Sequence, residues 1–360
     1  MVQVVNIIFK TVKEKKMKKL ITLVAAMAMV ATFAMTAAAA EWDFYGSARV
    51  NTSYYDIDKL GVDYQETLNE FLQGNSRIGA TVKVSDELTG GFEYGTGVNV
   101  RKLYGEWNFG PGSFLVGQTY TPLNWFYSNQ IYDTDTDLLC YGGLYSGRAP
   151  MLRLTFGGFQ VAAVVANHDD LVDPVDESSK VEIKFPTIEA SYSLTMDDFG
   201  VKVAAGYNPY ELTNGGTTYD VDAWVVALGA NLNIGPGYIQ GNVYTGDNAG
   251  HILWIDTYDT EGKAVIDGTQ VLDNECLGYI LVAGAKINDM FSVEFGYGHV
   301  EAEVDTKNVD DEATSYYGQT TITLAPGVFF VPEIGVVKKE LAGVEISKVT
   351  YASIKWQINF

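Results

Sequence analysis

Residues 351–360 read Tyr-Ala-Ser-Ile-Lys-Trp-Gln-Ile-Asn-Phe. Ala352, Ile354, Trp356, Ile358 and Phe360 share one parity, and Ser353, Lys355, Gln357 and Asn359 share the other. Side chains of a β-strand alternate between its faces, so the stretch from Tyr351 has one apolar and one polar face. It holds no Gly or Pro, and it ends on an aromatic ring. The last strand of a water-soluble sandwich would alternate in the same way. The closing strand of a membrane barrel fits better, with Trp356 and Phe360 toward lipid and Phe360 at one interface.

The opposite end supports export. Met17-Lys18-Lys19 precedes an apolar run from Leu20 to about Met35 and then Ala37-Ala38-Ala39-Ala40. A basic start, an apolar middle and a small-residue end form a secretory signal peptide, expected over residues 1–40 with Glu41 as the mature first residue. Residues 1–16 are either an over-extended start or a long basic region. An uncleaved anchor is the alternative, and the alanine-rich ending argues against it.

The chain of 360 residues has 24 basic and 45 acidic side chains. Removing the leader takes away six lysines and Glu14, leaving 18 against 44, a formal net charge of −26. That charge argues against nucleic acid as a partner, because phosphate binding needs basic patches. After the leader no apolar run is long enough for a spanning helix, a test that barrels evade because each strand is only half apolar. Tyr (23) and Phe (17) are abundant and His (3) is scarce, which suits aromatic girdles and not a hydrolytic centre. No metal-ligand spacing or cofactor motif is present. No low-complexity linker interrupts residues 41–360, which read as one domain. Cys140 and Cys276 either pair as a loop-to-loop disulfide in an oxidising compartment or stay free, and spacing does not decide between them.

From Trp42 onward, alternating segments are separated by connections of two kinds. Short ones carry Asp86-Glu87, Gly110-Pro111-Gly112, Gly157-Gly158, Asp197-Asp198, Gly235-Pro236-Gly237, Asn288-Asp289 and Ala325-Pro326-Gly327. Longer ones are expected after Tyr55, with a short helix around Glu66–Leu72, over 122–149, over 168–177, around Asn214, after Tyr244, over 305–312 and over 338–347. About 16 strands result, with short and long links in turn. A sandwich has no reason to sort its links by parity, whereas a barrel with tight turns at one rim and loops at the other does. The expected fold is an all-β transmembrane antiparallel barrel. Main-chain groups in lipid must all be paired, so its sheet closes, and 16 strands enclose a wet lumen.

Residues 75–97 (NSRIGATVKVSDELTGGFEYGTG) and 100–122 (VRKLYGEWNFGPGSFLVGQTYTP), with YGSARV at 45–50 and the terminal Phe360, resemble the general porins of Gram-negative outer membranes. The likeness lies in an Arg-Ile-Gly strand, a Glu-Leu-x-x-Gly turn, an Arg-led strand, a Gly turn and a Gly-then-Pro lead into the next loop. Elsewhere only rhythm and length match. The resemblance implies that residues 122–149 fold back into the pore and that acids on this loop face a basic wall. Carried over by position, Arg77 and Arg101 stand on that wall. Arg153 has the parity of Thr155, and Arg49 that of Ser47 and Asn51, so both join the candidates. Arg101 shares parity with Leu103 and Trp107 and needs a β-bulge to face inward. Asp133, Asp135 and Asp137 supply the opposing charge.

The resemblance further implies an outer-membrane channel, without cofactor, that passes small hydrophilic solutes and ions past a charged constriction. It also implies a homotrimer in contact with outer-membrane lipid and lipopolysaccharide. The link at Thr96–Asn99 is a departure, being too short to latch onto a neighbouring subunit. Ion selectivity stays open. Acids lining the lumen would favour cations, but Asp169, Asp170, Asp173, Asp176, Asp310, Asp311 and Glu312 fall in expected outer loops, where divalent cations would bridge them to anionic lipid. A channel specific for a sugar or an anion is one rival, with Trp125, Phe126, Tyr127 and Tyr141 as an aromatic path. A barrel hydrolase is another, but His168, His251 and His299 map to loops or strand ends and no G-x-S-x-G occurs.

Overall fold

The computed structural model of the chain describes residues 40–360 except 60–61, 167–179, 184, 215, 268–269 and 306–308. Most of the expected leader, and the segment with His168, Asp169, Asp170, Asp173 and Asp176, lie outside the described residues.

The first strands are β1 (Glu41–Lys59), β2 (Val62–Leu72), β3 (Arg77–Lys83), β4 (Leu88–Gly95), β5 (Val100–Asn108) and β6 (Ser113–Tyr120). After a long inward segment come β7 (Arg148–Phe156), β8 (Phe159–Val164), β9 (Lys180–Glu182), β10 (Thr187–Thr195), β11 (Phe199–Asn214), β12 (Thr217–Ile234) and β13 (Gly237–Asp247). A small hairpin, β14 (Val265–Asp267) with β15 (Gln270–Leu272), precedes β16 (Asn274–Lys286), β17 (Phe291–Val304), β18 (Asp310–Ala325), β19 (Val328–Leu341) and β20 (Val344–Asn359).

Alternation sorts these strands as expected. On β12, Trp224, Val226, Leu228 and Leu232 face outward while Tyr219, Val221, Ala223 and Val225 are buried inside. Trp224 and Ile234 lie ten residues apart on that strand. At ~3.4 Å per residue and a tilt of ~40° they span roughly 26 Å, the height of a lipid-facing band. Phe and Trp ring the tight-turn rim, where Trp42 stacks on Phe44 and Phe330 meets Trp356 edge-on. Tyr279 and Tyr297 stack at the other edge of the band. Among the described residues no helix is long and apolar enough to cross a membrane, and the crossing is made by strands.

The sheet closes. Residues Ser47–Lys59 of β1 pair with Asn359–Ser347 of β20, and Gly46 and Phe360 exchange main-chain hydrogen bonds at 2.6 and 3.1 Å. A Cβ on Gly46 would lie 2.5 Å from the Phe360 ring, so glycine lets the terminal aromatic lie over the main chain there without moving. Sixteen antiparallel strands form the wall. β2 and β3 are two pieces of one wall strand, broken at Gln73–Ser76, and β9 and β10 are another.

Several expected connections are wall instead. The helix expected at Glu66–Leu72 is part of β2, because main-chain pairing with β1 outweighs the helical spacing of Leu68 and Leu72. β19 and β20 run through 338–347 and turn only at Ala342-Gly343, and β18 already begins at Asp310. Beyond the lipid both faces of a strand meet water, so polar runs such as Lys338-Lys339-Glu340 carry no alternation and read as loop. The turn at 96–99 is as short as expected, with Val98 in the left-handed region.

Candidate functional site

The segment between β6 and β7 has no strand rhythm, and it lies inside the barrel. Its apolar side chains Trp125, Tyr127, Leu138 and Leu144 pack on Ala204, Val225, Ala227, Ile280 and Val300, which line the inner face of one side of the wall. Gly229 makes this approach possible, since a Cβ there would sit 2.9 Å from Trp125 and 2.8 Å from the Tyr127 hydroxyl. Three buried wall carboxylates catch loop amides. Leu123 N–H donates to Glu189 at 3.1 Å, Asn129 N–H to Glu294 at 2.9 Å and Ile131 N–H to Glu333 at 2.9 Å. Fixed acceptors of this kind satisfy main-chain groups that strand pairing cannot reach.

The connection expected after Tyr244 forms a second inward loop, 248–264. Asp311 holds it by accepting from the N–H groups of Tyr258, Asp259 and Thr260 at 2.8–3.0 Å. Its Trp254 N–H donates to the Tyr145 carbonyl at 2.8 Å, so the two loops rest on each other. Between them they fill one side of the lumen.

The other side stays open and is basic. Two adjoining cavities of about 380 and 290 Å³ share Asn75, Tyr120, Phe126 and Asp137 in their walls. Arg49, Arg77 and Lys355 line one, and Arg101, Arg148 and Asp135 the other. Arg49 Nη1 and Lys355 Nζ donate to the two oxygens of Asp135 at 2.5 and 3.0 Å, tying the loop tip to β1 and β20. Burial works against ionisation of Asp135, but Lys355 and Arg49 outweigh it and hold the carboxyl below the usual range. Asp137 is half-buried, and burial followed by the neighbouring Asp135 carboxylate pushes it well above that range. Asp133, Asp135, Asp137 and Leu138 all take positive φ, a conformation each holds at a cost of roughly 1–3 kcal/mol against the surrounding contacts.

The remaining expected residues fall as follows. Arg101 is the extra residue where the β4–β5 register shifts between Glu93 and Tyr94, so the bulge that turns it inward is present. Its Nε donates to Glu93 at 2.7 Å and its Nη2 to Asn75 at 2.8 Å. Arg77 Nη1 reaches Asn75 at 3.4 Å. Arg153 donates to the Tyr120 carbonyl at 3.3 Å and lines neither cavity. Asp133 turns its side chain to solvent, while its carbonyl accepts from Asn51 and Gln73 at 3.0 and 3.2 Å.

The disulfide considered for Cys140 and Cys276 is not formed. Both thiols are free, buried in the packing between loop and wall, with Cys276 Sγ donating to the Asn274 carbonyl at 3.4 Å. Trp125, Tyr127 and Tyr141 are buried in that packing too, so of the proposed aromatic path only Phe126 faces the lumen. His299 points outward beside Tyr279 and bonds Thr314 at 2.9 Å, and His251 is buried in the second loop against Tyr210. Sequence reading missed Lys355, Arg148, Glu93 and Trp254. Lys355 lay on the polar face of the closing strand and was legible; Arg148 sat in a stretch that showed no strand pattern.

A sequence profile described as Gram-negative porin matches residues 24–337. The chain belongs to the Gram-negative porins. It is an outer-membrane channel, and this porin crosses its membrane on strands. No curated protein matches its sequence significantly. Among solved structures it is similar to the outer membrane channel DcaP of Acinetobacter baumannii, at a TM-score of 0.74 and 15% identity over 89% of this chain and 97% of that one. It is also similar to OmpT of Vibrio cholerae, at 0.58 and 19% over 89% and 98%. An anion-selective porin from Comamonas acidovorans matches at 0.58 and 14% over 89% and 100%. At such identities the likeness concerns the fold.

Proposed function

We propose that this porin passes small hydrophilic solutes and prefers anions at its constriction. The observation that carries this reading is the charge around the open cavities, where five cations (Arg49, Arg77, Arg101, Arg148 and Lys355) stand against the carboxylates Asp135 and Asp137 of the cavity walls and the buried Glu93 that pairs with Arg101. Asp135 is already neutralised by Arg49 and Lys355. Among the described residues Arg77 and Arg148 have no ion-pair partner. The strongly acidic balance of the chain does not oppose this. Glu301 faces Glu312 and Glu303 faces Asp310 on the outer surface of β17 and β18, away from the water path. Glu189, Glu294 and Glu333 are buried under the loop. Charges separated by more than ~8–10 Å of salt solution are largely screened, so the residues lining the aperture decide.

The description of the Comamonas acidovorans neighbour as anion-selective agrees with this. A homotrimer in outer-membrane lipid is the proposed assembly, supported by a Vibrio cholerae OmpT structure recorded in trimer form. No catalysis is assigned: among the described residues no nucleophile and base stand together beside the open cavities. The zero-current potential of the purified protein in a planar bilayer under a KCl gradient tests the reading. A chloride-preferring sign is expected, and a potassium-preferring wild type overturns it.

A further inference from the structure

Four aromatic rings form a continuous strip along the open cavity. Ring centroids lie 4.9 Å apart for Tyr120 and Phe126, 6.0 Å for Phe126 and Tyr145, and 6.1 Å for Tyr145 and Trp254. The rings come from the end of β6, both limbs of the first inward loop and the second inward loop. Phe126 is 47% exposed between Trp125 at 3% and Tyr127 at 4%, and Trp254 is 44% exposed between Leu253 at 4% and Ile255 at 3%. Their neighbours serve the packing of loop on wall, whereas these two rings are turned into the water path. Packing therefore does not explain them.

A guanidinium faces the same cavity. Arg148 Nη1 donates to the Tyr120 hydroxyl at 2.8 Å, and its guanidinium lies 5.1 Å above the Tyr120 ring. That contact fixes its orientation, and no carboxylate among the described residues neutralises it. Arg101 stands beside it in the cavity wall. The cavity of about 290 Å³ is larger than the ~150 Å³ that takes up benzene in a protein interior.

We infer that this is a binding subsite for an aromatic carboxylate of about the size of benzoate, occupied during passage. Its ring lies against Phe126 and Trp254 and its carboxylate on Arg148. The inference rests on the anion-preferring reading above and adds a solute class to it. A sugar would stack on the rings but bring no charge to the guanidinium, and a small inorganic anion would use the guanidinium and leave the rings idle. Only an aryl anion uses both, through ring stacking and a charge-assisted hydrogen bond.

Single-channel recording in a planar bilayer tests it. Benzoate should interrupt the KCl current in a saturable manner, while acetate, benzyl alcohol and maltose at equal concentration should not. The double variant Phe126→Ala, Trp254→Ala, with block expressed relative to its own unblocked KCl current, should need roughly tenfold more benzoate for half block. Arg148→Gln should weaken the block similarly, and Trp254→Tyr should retain it. Block by acetate or maltose equal to that by benzoate, or unchanged block in the double variant, overturns the subsite. If the KCl gradient shows chloride preference but benzoate does not block, the subsite alone falls. A potassium preference in the same gradient removes its basis as well.

Discussion

On one side of the lumen the wall presents Ala223, Val225, Ala227, Ile280 and Val300, and the two inward loops cover it with Trp125, Tyr127, Leu253 and Ile255. On the other side the wall presents Arg49, Arg77, Arg101 and Lys355, and the lumen is left open. Both faces belong to the same sheet, and both bury atoms from lipid. They differ in what they do with water. Apolar inner positions favour being covered, at roughly 25 cal/mol per Å² removed from water, so they draw the loops across. Charged groups are costly to cover: Arg101 and Lys355 are buried only against the carboxylates of Glu93 and Asp135, and Arg77, unpaired among the described residues, keeps its side hydrated. The pore is thus off-centre because the inner face of the barrel is unevenly polar. Where the two sides meet, Asp135 bridges the loop tip to Arg49 and Lys355.

The comparison can be broken at its seat, at its clasp or at its open face. Trp125→Ala removes a buried ring from the covered side and should cost loop docking roughly 3–5 kcal/mol. A larger, noisier single-channel conductance with the barrel still heat-resistant in detergent is the expected reading, and an unchanged current would contradict it. Asp135→Ala leaves Arg49 and Lys355 without their anion and should cost up to about 3–5 kcal/mol, because breaking a buried pair strands charge. Its conductance should fluctuate as well, and its chloride preference should rise, which separates it from the seat variant.

Arg77→Ala acts on the open face alone. It has no ion-pair partner among the described residues, so thermal stability should hardly move. One charge at ~4 Å in water is worth about 1 kcal/mol, so the chloride-to-potassium permeability ratio should fall several-fold. Acidification sharpens the same point. Asp137 is raised by burial and by Asp135, so it loses its charge while ordinary carboxylates keep theirs, and Asp135, held low, stays ionised. Chloride preference should therefore begin to rise above the ordinary carboxylate range as pH falls, and Asp137→Asn should abolish that step. The smallest expected effect is none: reductant should leave conductance and gel mobility unchanged, because Cys140 and Cys276 are free.

The lining of the open cavities was legible in part. Arg49 and Arg153 were placed on the inner face by parity with Ser47, Asn51 and Thr155, and the bulge required by Arg101 lies at Glu93 and Tyr94. Parity gives only the face of a strand and not the height along it, which is why Arg153 sits away from the aperture. Arg148 passed for a different reason: the start of β7 shows no alternation, so no parity places it. The second inward loop was read as a plain connection because nothing in residues 248–264 alternates; its docking depends on Asp311, contributed by a strand more than fifty residues away. Polar wall beyond the lipid, as at 338–347, reads as loop for a related reason.

Local spacing determined that the strands would be amphipathic, that the links at one rim would be tight turns, and that the chain would span a membrane as a barrel. Those properties follow from a side-chain period of two and from turn residues, both carried by neighbours in sequence. The tertiary structure alone decided which inner positions are covered, that Asp135 is spent on a double ion pair while Asp137 stays in the aperture, and that Trp254 reaches Tyr145. Such pairings join residues far apart along the chain, and the closing of the sheet sets their distances.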